Sequence, residues 1–147
     1  MKDSLMLTIL AGVSVFVIGQ FLLKLILEPI VTFKNKIGEL SALFLREQAK
    51  ITNAQASEET QQEIRRMSSS ILAHKQAIPF YGFFAFILRL PSTENIISSC
   101  RSLNWIAHHV VKDAPRIPPR NDIPLEIYKE MKNINEKLKV IVSYSEL

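Results

Sequence analysis

The chain has 147 residues, 48% of them apolar and 22% charged, with a formal charge of +4, one cysteine, seven prolines and four glycines. That length accommodates one small domain, the lone cysteine excludes an intrachain disulfide framework, and the abundance of large aliphatic residues excludes a disordered chain. Few glycines leave little for phosphate-cradling loops. The mean hydropathy of +0.13 is high for a soluble protein of this size, because much of the apolar content lies in one N-terminal run.

That run, LMLTILAGVSVFVIGQFLL from Leu5 to Leu23, carries no charge, and apolar character continues past Lys24 through Leu25, Ile26 and Leu27. At about 1.5 Å per helical residue it covers the roughly 30 Å hydrocarbon core of a bilayer. A secretory signal has a shorter apolar core, about 7–15 residues, and then a small-residue cleavage site. The residues after Leu23 offer no such site. Residues 1–28 are therefore predicted to be a retained transmembrane anchor, with the Lys24 ammonium extended toward the headgroups. Before the span stands Lys2, and after it Lys24, Lys34, Lys36, Arg46 and Lys50. Basic residues near a span stay on the cytoplasmic side, which puts the N-terminus outside and the bulk of the chain in the cytoplasm. A reduced Cys100 agrees with that compartment.

Within the span Thr8, Gly12 and Gly19 share a helix face. They either form a small-residue seam for a second helix or reflect the general frequency of glycine in membrane helices. Gln20 either bonds across such a seam or faces water.

Past Pro29, which either opens a helix or kinks one, Ile30, Phe33, Ile37, Leu40, Phe44 and Ile51 follow mostly steps of three and four. This is an amphipathic helix. Residues 52–57 break it, and Ser57 with Glu58 and Glu59 is an N-cap with acids where the helix dipole favours them. The next helix should turn Ile64, Met67, Ile71 and Leu72 inward and end near Gln76. Ser92, after Pro91 and before Thr93 and Glu94, opens another, with Ile96, Ile97, Cys100, Leu103, Ile106, Ala107 and Val110 at helical spacing. Prolines 115, 118, 119 and 124 mark residues 112–124 as a linker. Residues 125–147 form a last amphipathic helix whose seam, Ile127, Met131, Ile134, Leu138 and Ile141, either docks on the domain or pairs with another chain. The fold class is all-α: one N-terminal transmembrane helix followed by a small cytoplasmic helical bundle over residues 29–111.

Residues 77–90 are the most unusual part. Of twelve aromatics in the chain, Phe80, Tyr81, Phe83, Phe84 and Phe86 fall within seven positions. The apolar stretch from Ala77 to Leu88 is too short to span a bilayer, and as a helix it would be apolar all round: Phe80, Phe83, Phe84 and Ile87 on one face, Tyr81, Ala85 and Leu88 on the other. Such a helix must be covered, either by protein as a core element or by lipid as an interfacial segment. Lys75 and Arg89 bracket it as anionic headgroups would require. The membrane-interface set is accordingly Phe80, Tyr81, Phe83, Phe84, Phe86 and Arg89.

No residue is assigned to catalysis, to a cofactor or to a metal. Cys100 and His108 stand roughly 80° apart around one helix, a poor metal face. His109 and Asp113 lie where that helix is ending, and no P-loop, Rossmann, zinc or nucleophile-elbow spacing occurs. Arg65 with Arg66, and Lys112, Arg116 and Arg120, come with no nucleic-acid reader motif, so no nucleic-acid partner is expected. Attraction to anionic lipid explains basic charge beside a membrane more simply.

The segments GQFLLKLILEPI, KIGELSALFL, AIPFYGFFAFILRLPS and ENIISSCRSLNWI resemble a group of small bacterial single-pass membrane proteins with a helical cytoplasmic part. The likeness covers about residues 10–110. It implies a bacterial inner-membrane location and supplies no active residue. The expected function is non-enzymatic: a membrane-apposed helical domain in contact with the lipid bilayer that mediates self-association or binds a membrane or cytoplasmic protein. The alternative is a membrane-perturbing effector of a toxin or phage-defence system, in which the aromatic segment moves from core to bilayer.

Overall fold

The structure, a computed structural model, describes residues 2–111 and 122–144, with side chains from residue 4 onward. The described chain is all-helical. Helix α1 (Lys2–Leu22) passes through a π-helical turn (Leu23–Leu27) into α2 (Glu28–Thr52) without a break. The cause is Pro29, which has no N–H and whose ring would meet the carbonyl four residues back in a regular helix. The turn widens just before it, so that the Glu28 N–H bonds the Leu23 carbonyl five residues back. Pro29 thereby stands in the first turn of α2, and one helix, Ser4–Thr52, extends for 49 residues. It is the single helix among the described residues long and apolar enough to cross a membrane.

Its two halves differ in burial. No side chain from Ser4 to Leu25 is covered, Ile26 is the first to be partly so, and Ile30 is the first buried. From there Phe33, Ile37, Leu40, Phe44 and Ile51 turn inward at the predicted spacing, with Leu43 widening the stripe. Helix α3 (Glu58–Gln76) starts where its cap predicts, the Ser57 hydroxyl accepting from the Thr60 N–H at 3.2 Å. It turns Ile64, Ser68 and Ile71 into the core, with Met67 and Leu72 packed at its edge.

After a short helix α4 (Tyr81–Ile87), α5 (Thr93–His109) runs through the centre of the bundle, with α3 and α6 packed against it. Ser92 caps it by accepting from the Asn95 N–H at 3.1 Å. Small residues let α3 and α5 approach closely. Ser68 Oγ donates to the Cys100 carbonyl at 3.2 Å, and Cys100 Sγ donates to the Ser68 carbonyl at 3.4 Å.

Helix α6 (Ile123–Leu138) opens two residues earlier than its pattern suggests, because Pro124 is tolerated in a first turn where its missing N–H has no helical partner. Ile127, Met131, Ile134 and Leu138 are buried against α5 and α2. The seam thus docks on its own domain and is not available to pair with another chain. It also stops short of Ile141: Lys139 takes a left-handed conformation, φ 57°, ending the helix, and Val140 and Val142 turn inward while Ile141 is exposed. Extended pairing among the described residues is one parallel bridge, Ala56 with Val111. Residues 112–121, most of the predicted linker with Lys112, Asp113, Arg116 and Arg120, lie outside the described residues.

Candidate functional site

The aromatic segment is shorter as a helix than its apolar run. Phe80 precedes α4 in a left-handed conformation, φ 50°, and Arg89 follows it at φ 52°. A non-glycine residue there costs about 1–2 kcal/mol. These two turns confine the helix to seven residues and take Phe80 off the face that the spacing assigned it.

What remains is two-sided. Tyr81 is 7% exposed, and Phe84 and Ala85 pack against the core, while Phe80 (82%), Phe83 (62%) and Phe86 (86%) stand outside it, followed by Ile87 and Leu88. Tyr81 departs from its predicted interfacial place. Its ring meets Phe33 edge-on at 5.8 Å, and its hydroxyl donates to the Pro91 carbonyl at 2.6 Å. Lys75 Nζ lies 5.1 Å from the ring centroid, and burial pushes the phenol pKa up to about 12. Tyr81 is therefore the anchor that holds α4 on the bundle. Among the five aromatics it alone carries a polar tip able to satisfy a buried carbonyl, the one sequence signal of its separate role.

The anchor also sets where α4 sits. Phe33 lies six residues beyond Leu27, about 9 Å along the helix axis, so α4 is held on the long helix close to the end of its uncovered half. Close by, Arg89 meets two cations that no spacing in the sequence relates to it, Lys34 of α2 and Lys139 after α6. The three line a groove whose sides include Ile37, Leu90 and Leu138. All three of these apolar residues are buried. No carboxylate lines it.

Thr8, Gly12 and Gly19 stand on the uncovered helix. Thr8 Oγ1 donates to the Ser4 carbonyl at 2.9 Å, and a methyl group placed at either glycine would meet nothing within 4 Å. Among the described residues nothing occupies that face.

Cys100, His74 and His109 are each held by contacts within the fold. Cys100 is buried, which pushes its thiol pKa up against the opposing effect of the Ser68 hydrogen bond. His74 Nδ1 donates to the Ser70 carbonyl and His109 Nδ1 to the Trp105 carbonyl, each at 2.8 Å one turn back in its helix. The His109 ring stacks on Trp105 at 4.1 Å. Among the described residues no group of three His, Cys, Asp or Glu side chains is placed to hold a metal ion.

No family model, curated protein or solved structure matches the chain.

Proposed function

We propose that this chain is a single-pass protein of the bacterial inner membrane, with its N-terminus outside and its helical bundle held against the cytoplasmic leaflet by α4. In this reading the anchored bundle is a platform for protein contact, either with a second copy through the Thr8–Gly12–Gly19 face or with another membrane or cytoplasmic protein. The observation that carries it is that Phe80, Phe83 and Phe86 are exposed on a segment held close to the end of an apolar helix half that is itself uncovered. Exposed apolar clusters of this kind are rare on soluble monomers and mark contact with lipid or protein. Basic residues concentrated after the span agree with the orientation. The small-residue face agrees with self-association.

The test is a fluorophore on Phe86→Cys, with the buried Cys100 shielded from labelling, in proteoliposomes containing lipids brominated along their acyl chains. Quenching is expected. Emission that brominated lipid leaves unchanged would remove bilayer contact by α4, and cross-linking that finds only monomers would remove the self-association.

A second reading, the membrane-perturbing effector, is favoured by how lightly α4 is held, chiefly through Tyr81 and its neighbours Phe84 and Ala85. Induced expression with a membrane-potential dye separates the two. Depolarisation supports the effector, and normal growth with an intact potential supports the platform.

A further inference from the structure

Three cations from three separate elements converge on one groove: Lys34 on α2, Arg89 after α4 and Lys139 after α6. Among the described residues no carboxylate pairs with any of them, whereas other cations of α2, Lys36, Arg46 and Lys50, each have an acidic partner within 4 Å. Like charges gathered without counter-ions repel one another, and the repulsion is relieved by an anion between them. Two of the three also occupy left-handed backbone, Arg89 at φ 52° and Lys139 at φ 57°, positions where glycine is the usual helix terminator. Glycine would relieve that strain, but it would bring no charge to the groove.

The surroundings define which anion fits. The sides of the groove include apolar residues, Ile37, Leu90 and Leu138. Its Arg89 edge continues directly into exposed Leu88, Ile87 and Phe86. Lys34 is seven residues past Leu27, roughly 10 Å along the axis, and helical side chains lean toward the N-terminus, which returns its ammonium to headgroup depth. A phosphate bound here would have an apolar surface beside it for acyl chains.

We infer that the Lys34–Arg89–Lys139 groove binds the phosphate of an anionic glycerophospholipid whose acyl chains lie along Phe86, Ile87 and Leu88. This rests on the bilayer contact proposed for α4 and adds a lipid preference to it. Arg89 can take two phosphate oxygens through its planar fork, while the lysines act as point charges on either side.

The test uses the full chain in nanodiscs of phosphatidylcholine with and without phosphatidylglycerol, extracted gently and weighed with its retained lipid by native mass spectrometry. Wild type is expected to retain phosphatidylglycerol in preference to phosphatidylcholine. Neutralisation should weaken this by roughly fivefold for each cation, on the order of a hundredfold for Lys34→Gln, Arg89→Gln and Lys139→Gln combined. Lys129→Gln, exposed on α6 in a different groove beside Trp105, should leave it unchanged. Helicity and thermal midpoint report whether the triple variant folds, and the single Arg89→Gln is read if it does not.

Equal retention of the two lipids by wild type, or undiminished preference in a folded variant, overturns the groove. With Phe86→Cys still quenched by brominated lipid, either result leaves the bilayer contact standing. Loss of both signals means that the contact itself is wrong. Displacement of the lipid by millimolar inorganic phosphate would identify a site for free phosphate and overturn the lipid assignment.

Discussion

The two halves of the long helix, uncovered before Leu27 and buried from Ile30 onward, share a backbone and differ in the arrangement of apolar residues. The first half is apolar on every side, so packing one face on a bundle would leave the rest uncovered, and it stands free of the bundle. The second keeps its apolar residues to one stripe, and α3 and α6 close over that stripe. Total apolar content decides which solvent a helix requires, and its angular distribution decides whether a domain can be built on it. Pro29 marks the join. The π-helical turn lets the chain change character there without a break, so the bundle is built on the direct continuation of the uncovered half.

The sharpest way to break this comparison is to make one substitution in each half. Leu40→Ala, in the buried stripe, should cost about 2–5 kcal/mol, measured by denaturant unfolding of the full chain in detergent. Leu10→Ala should leave that transition where it is. A comparable loss from Leu10→Ala would mean that α1 packs on the bundle. Next in size is a charge at the centre of the apolar half. Val15→Lys should oppose insertion by about 2.5–3.5 kcal/mol and lower the carbonate-resistant membrane fraction, while Leu125→Lys, on an exposed face of α6, should not.

A smaller effect tests α4, which combines both characters in seven residues. Tyr81→Phe keeps the ring on Phe33 but leaves the buried Pro91 carbonyl without its donor, and should cost about 1–3 kcal/mol in the same unfolding measurement. Phe83→Ser, two residues on and exposed on the far side of the helix, should change stability by no more than about 0.5 kcal/mol. If the two cost the same, α4 is not divided between core and surface as its burial indicates.

Much of this architecture is legible in the residues. The Ser57 and Ser92 caps, the stripe from Ile30 to Ile51 and the seam from Ile127 to Leu138 appear as read, because capping and amphipathic periodicity are local and need only a few turns of helix to be expressed. The aromatic segment was legible only as a choice. Its composition requires cover on all sides, but which side the bundle supplies depends on Phe80 and Arg89 leaving helical geometry and on Pro91 presenting a carbonyl to Tyr81. The direction of the last seam was open for the same reason, since a face suited to one helix suits another of similar shape.

The residues alone specify most of the helices, the capped starts of α3 and α5, and one helix long and apolar enough for a membrane, all set by contacts within a few turns. They do not specify where the last helix ends, which is Leu138 and not the chain's final residues, or that α4 is only seven residues long. Only the tertiary structure decided that α6 closes on its own chain, that Tyr81 is an anchor and Phe86 is not, and that Lys34, Arg89 and Lys139 share a groove. The three cations are separated by some fifty residues at each step, and no local rule of spacing acts over that distance. Packing of the core beneath them brings them together.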